Sequence, residues 1–224
     1  MNETSSSPGP AAAPKLTLDR LGALSDGVVA IVITLLVLGI DLPGDHDFSA
    51  EGLISFLGKV EYQLVVYAVS FVLAGNYWIQ QNVMFHFFRN GTRGLIWLNL
   101  LFLFELTILP FTTKLIGTYR DEPLPLVIYG AMHIACGLTL AFIWWYANRM
   151  SPVVWPRTDP AVVRSLMLRI FTGPLVSLIA IGVAFINARL SHVVFLTMPL
   201  FHLSHRVVDS HWPEVVEQHR NESD

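Results

Sequence analysis

Charged side chains are scarce in this chain. The 14 Lys and Arg and 17 Asp and Glu make up 14% of 224 residues, where an ordinary soluble domain carries about a quarter, and 53% of positions are apolar. The shortage excludes a disordered polypeptide and argues against a cytosolic globule. Cysteine is scarcer still: Cys136 stands alone inside an apolar run, so a disulfide framework and a thiolate zinc site are both ruled out within one chain. A basic excess is missing too, since the formal net charge is -3, and nothing points to a nucleic-acid partner. Walker loops and dinucleotide glycine patterns are absent, which leaves no basis for coupling to ATP.

What the chain has instead is long charge-free segments. Leu124 to Asn148 is 25 residues without a charge and Ile170 to Ala188 is 19, close to the roughly 20 residues a helix needs to cross a bilayer core. Charge gaps and turn residues predict an all-α, polytopic membrane protein with six spans, at about 20–41, 62–84, 95–117, 125–146, 167–187 and 190–206. The sixth is short and contains Pro199. Residues 1–15, rich in Ser, Pro and Ala and without the basic start of a signal peptide, read as a disordered tail, and 207–224 as a polar C-terminal tail.

Basic residues test the orientation. With the N-terminus cytoplasmic, Lys15, Arg20, Arg89, Arg93, Arg149, Arg157, Arg164, Arg169, Arg206 and Arg220 fall inside, and Lys59, Lys114, Arg120 and Arg189 outside. Ten against four is a positive-inside bias that puts both termini in the cytoplasm. The outer loops then hold Asp41, Asp45, Asp47, Glu51, Glu61, Asp121 and Glu122. They form either a mouth that raises the local cation concentration or simply solvated loop acids.

Asp26 and Glu105 lie well inside spans, with Arg20 at the edge of the first. Ionisable groups at membrane depth are functional candidates by default. At about 1.5 Å of rise per residue, Asp26 sits one to two turns from the cytoplasmic end. Asn76, Gln80, Gln81 and Asn82 of the second span and Asn99 of the third reach the same layer, a polar girdle around the inner half of the bundle. Arg20 and Asp26, six residues apart, point about 240° away from each other and cannot pair along one face, so each looks to another helix or subunit. Buried Asn, Gln and Ser commonly glue helices together, and Ser25-Asp26 reads as structural support for a functional helix. Glu105, near mid-span, is open to three states: protonated, bonded to another helix, or facing water.

Other motifs carry less. Ser25 has no Gly-x-Ser-Gly setting and no histidine at its depth, so a serine hydrolase is not expected, nor any other enzyme. His202, His205 and His211 read as interfacial rather than as metal ligands. His133 reads as a satisfied bundle histidine, and Trp144, Trp145, Tyr146 and Trp155 as an interfacial belt. Ile31, Thr34, Leu35 and Leu38 fall on one helical stripe, ordinarily a lipid-facing or packing surface.

The segment Arg20-Leu-Gly-Ala-Leu24-Ser25-Asp26, running straight into the apolar stretch that holds Ile31 and Thr34, resembles the R-x-x-x-F-S-D signature that opens the first helix of the transmembrane protein 175 family. These are endosomal and lysosomal potassium channels and their bacterial relatives. Leu24 stands where the family has Phe, a volume-tolerant apolar exchange. Trp97, Asn99 and Leu100, then Pro110-Phe111, look like the third-helix pattern of bacterial members. Where the family has Trp followed by Asn and His, Trp78 is followed by Gln80, Gln81 and Asn82, which keep hydrogen-bonding capacity but remove a titratable group.

The resemblance implies one six-helix repeat per chain, residues 16–206, assembled as a homotetramer with four first helices lining a pore. It implies a constriction at Ile31, with Thr34, Leu35 and Leu38 as further pore layers and Arg20, Ser25, Asp26, Gln81 and Asn99 as the motif network. The implied activity is passive conduction of K⁺ across a bacterial plasma membrane, with K⁺ as permeant ion and no cofactor or bound metal. The TVGYG filter of other K⁺ channels is absent. Aliphatic rings can close by dewetting, and without a carbonyl cage they would give a modest preference for K⁺ over Na⁺. The alternative is a secondary transporter or proton-permeable leak using Asp26 and Glu105, although transporters often carry paired repeats and the R-x-x-x-x-S-D segment has no second copy.

Overall fold

The structure, a computed structural model, describes residues 18–40, 50–88, 91–149 and 160–203. The two tails, Asp41, Asp45, Asp47, Trp155, His205, His211 and the side chain of His202 lie outside the described residues. Helix α1 (Leu18–Leu35) tightens into a 3₁₀ turn at Leu36–Gly39. It is followed by α2 (Ala50–His86), α3 (Arg93–Thr107), α4 (Leu109–Thr118), α5 (Pro123–Arg149), α6 (Pro160–Ala184) and α7 (Ala188–Leu203). Among the described residues, five stretches are long and apolar enough to cross a membrane: Leu18–Gly39, Val60–His86, Arg93–Thr118, Pro123–Arg149 and Leu166–Ala184. The expected sixth span coincides with α7, whose 16 described residues fall short of that length.

Local chemistry explains the boundaries. Thr92 caps α3, its hydroxyl accepting from the Leu95 amide at 3.2 Å. The expected third span is two helices in line. Pro110 has no N–H to offer Leu106, four residues back, and the Ile108 amide instead donates to the carbonyls of Glu105 and Leu106. At the start of α7, the Asn187 side chain accepts from the Leu190 amide at 3.2 Å.

In lipid, helices associate through close packing and hydrogen bonds rather than through a hydrophobic drive. The α5–α6 seam uses the first. A Cβ on Gly137 would overlap the Pro174 ring and press on the Ile170 carbonyl, and one on Gly130 would come within 2.8 Å of Ile181. Pro174 offers no amide to that carbonyl, so the glycine lets α5 close over a naturally irregular turn of α6.

Buried hydrogen bonds supply the second. Ser70 of α2 bonds the Tyr129 hydroxyl of α5 at 3.0 Å and accepts from Thr113 of α4 at 2.9 Å. His133 is fully buried, with the Tyr77 hydroxyl 2.8 Å from its Nδ1 and the Tyr129 ring edge-on at 4.4 Å. Trp144 corrects the interfacial-belt expectation. It is buried, stacked on Phe88 and edge-on to Phe87, while its neighbour Trp145 stays exposed beneath Arg149. One residue is about 100° of helix, enough to send two adjacent tryptophans to different environments.

Candidate functional site

Helix α1 has two contrasting sides. Leu21, Ser25, Val29, Val32 and Leu36, spaced by three or four residues, are buried. Ser25 is the polar member of that stripe. Its Oγ donates to the Leu21 carbonyl at 2.9 Å and accepts from Gln81 of α2 at 3.0 Å and from Asn99 of α3 at 3.1 Å. The Gln81 amide also donates to the Asn99 side-chain carbonyl. Three helices are thus closed into a triangle whose corners are all buried. The polar girdle expected in this layer therefore has a specific core: Ser25, Gln81 and Asn99. Gln80 is buried without joining it, and Asn76 and Asn82 are half-buried.

Asp26, one residue further, lies on the flank of α1 and accepts from the Trp78 indole at 2.7 Å. Trp78 precedes Gln81 by three residues, so α2 offers both partners from one face. The sequence named Trp78 only as a motif marker. The signal for its role was that Asp26 needs a donor on another helix, and an indole N–H at i−3 from Gln81 is at the right height. Arg20 is exposed and does not enter the triangle.

The other side of α1 is open. Ile31 is 59% exposed, Leu35 43% and Leu38 71%, and Leu24 and Thr34 are exposed on the same face. Thr34 turns its hydroxyl onto the Ile31 carbonyl of its own helix at 2.8 Å, which leaves the face aliphatic in character. Glu105 belongs to a different helix pair: its carboxylate accepts from Thr139 of α5 at 2.9 Å. Asp26 and Glu105 are therefore not brought together. Among the described residues no three His, Cys, Asp or Glu side chains gather in an arrangement able to hold a metal ion.

A family model described as "Endosomal/lysosomal potassium channel TMEM175" matches residues 20–110, a range that contains both the Ser25 triangle and the open stripe. The chain is 31% identical over 176 residues to a potassium channel of Streptomyces collinus, covering 77% of this chain and 84% of that one. It is 27% identical to a potassium channel of Chamaesiphon minutus, covering 81% and 91%. The crystal structure of a lysosomal potassium-selective channel TMEM175 homologue from Chamaesiphon minutus superposes with a TM-score of 0.72 at 26% identity, over 83% of this chain and 96% of that one. Apolar helices long enough to cross a bilayer several times, the Ser25-Asp26 anchor and these likenesses agree: the chain is a multi-pass membrane protein of the TMEM175 family.

Proposed function

We propose that the chain is one subunit of a passive K⁺-permeable channel of a bacterial plasma membrane, a homotetramer whose four α1 helices surround the ion path. The observation that carries this reading is the open aliphatic face of α1 at Ile31, Leu35 and Leu38, held in a fixed rotation by the buried Ser25 triangle on the opposite side. One chain supplies one such face, so conduction requires several copies. Potassium as the ion follows from the relatives, which are named potassium channels. In this reading α7 is the sixth crossing, both termini are cytoplasmic, and Ile31 forms the narrowest ring. A ring of isoleucines would close by dewetting and discriminate ions by size and partial dehydration.

Potassium flux from proteoliposomes, alongside mass measurement of the solubilised oligomer, tests this. Wild type should give gradient-driven flux as a tetramer, and Ile31→Asn should wet the ring and raise cation leak several-fold. Unchanged flux in Ile31→Asn counts against the gate, and saturable counter-transport by a non-tetramer favours the transporter reading.

A further inference from the structure

At the end of the bundle opposite the Ser25 triangle, the start of α2, the end of α4 and the start of α7 enclose a cavity of about 320 Å³. Tyr62, at its wall, lies 19 residues before Gln81 along α2. That is about 28 Å of helix, close to the roughly 30 Å of a bilayer's hydrocarbon core. The two features thus sit at opposite leaflet boundaries, and no residue of α1 lines the cavity.

Its wall holds a polar atom without a match. The Tyr62 hydroxyl is shielded from solvent with no hydrogen-bond partner among the described residues. The His192 ring beside it lies between two backbone carbonyls, with Nδ1 2.7 Å from that of Ala188 and the Ile116 carbonyl as a second acceptor. A buried group like the Tyr62 hydroxyl is normally satisfied by something.

The rim adds charges of both signs. Arg189 is already engaged, bonded to Asp121 at 2.8 Å. Arg120 lies over the Tyr62 ring, 4.5 Å from its centroid, with no carboxylate paired to it among the described residues. Glu61 borders the same cavity, likewise without a paired cation there. Two donors, Arg120 and the Tyr62 hydroxyl, therefore stand beside one anionic acceptor, Glu61. Val65 and Val69 continue the wall along α2 toward the bilayer centre.

We propose that this cavity holds the head of one zwitterionic glycerophospholipid, its phosphate taken by Arg120 and Tyr62, its ammonium by Glu61, and an acyl chain laid along Val65 and Val69. An anionic lipid would leave Glu61 facing a negative head group, and a soluble head group would leave the valine wall uncovered. The site lies off α1 and stands whether or not that helix lines a pore.

Native mass spectrometry of the full chain in detergent, titrated with phosphatidylethanolamine, phosphatidylglycerol and soluble glycerophosphoethanolamine, tests the assignment. Phosphatidylethanolamine should bind best, and Arg120→Gln and Glu61→Gln should each weaken it about tenfold, or about 1.4 kcal/mol, with oligomer mass unchanged. Arg120→Lys, which keeps the charge, should retain binding and covers the case in which Arg120→Gln does not fold. Val65→Trp should exclude the lipid. Phosphatidylglycerol binding as tightly as phosphatidylethanolamine, the soluble head group binding as well as the lipid, or adducts unmoved by Arg120→Gln would each overturn it.

Discussion

Helices α1 and α5 are built from much the same apolar residues, yet 56% of the membrane-length window of α5 is buried inside the chain against 28% for α1. Apolarity sends both into the bilayer, but it does not choose their neighbours. α5 carries Gly130 and Gly137, where other helices come into close contact, and Tyr129, His133 and Thr139, which hydrogen-bond to other helices. α1 is anchored on one side by Ser25 and on its flank by Asp26, while its opposite face is bulky, aliphatic and open among the described residues. Enclosure in lipid follows from small and polar side chains that meet partners at matching heights, and among the described residues α1 meets such partners on one side and its flank.

Paired glycine substitutions should break this contrast most sharply. Gly137→Leu drives a side chain into the Pro174 ring and should lower stability by roughly 1–3 kcal/mol or more. Gly27→Ala on the open side of α1, where a Cβ meets nothing within 4 Å, should be neutral or stabilising by up to about 1 kcal/mol. Denaturation midpoints in detergent read both, and the reverse order would mean that α1, not α5, is the enclosed helix.

Asn99→Leu, which removes two bonds of the buried triangle at similar volume, should lower stability by about 1–2 kcal/mol and loosen the rotation of α1. Crosslinking between cysteines placed on α1 and α3 would report that loosening. Asp26→Ala should have a smaller effect, roughly 0.5–1.5 kcal/mol, seen as a change in Trp78 fluorescence and weaker assembly with K⁺ over Na⁺ preference unaltered. Intact tetramers with a changed ion ratio would instead put Asp26 in the ion path.

The least effect should come from the exposed Asp121–Arg189 pair. Its hydrogen bond to Arg189 holds the Asp121 carboxyl below its ordinary range. A carboxylate with a depressed folded-state value contributes its stability above the unfolded value, near pH 4, and loses it as pH falls through the folded one. Asp121→Asn should therefore lower the neutral-pH melting midpoint slightly and flatten the shallow decline below about pH 4, so that variant and wild type converge in acid. A large change at pH 7 would show that the pair holds α5 and α7 together.

Charge-free runs were enough to read an all-α membrane chain and, to within a few residues, where its five long apolar stretches lie, because the bilayer imposes length and apolarity directly on local sequence. The layer holding Ser25, Gln81 and Asn99 was legible too, since helix rise converts position into depth. Depth says nothing about rotation or neighbours. Only tertiary structure decided that Ser25 is shared by Gln81 and Asn99, that Asp26 goes to Trp78, that Glu105 goes to Thr139, and that Trp144 turns inward while Trp145 does not. The stripe at Ile31, Leu35 and Leu38 could be counted from the sequence alone. That it is the open side of α1 emerged only once the opposite side was packed, because exposure belongs to a set of helices and not to any one of them.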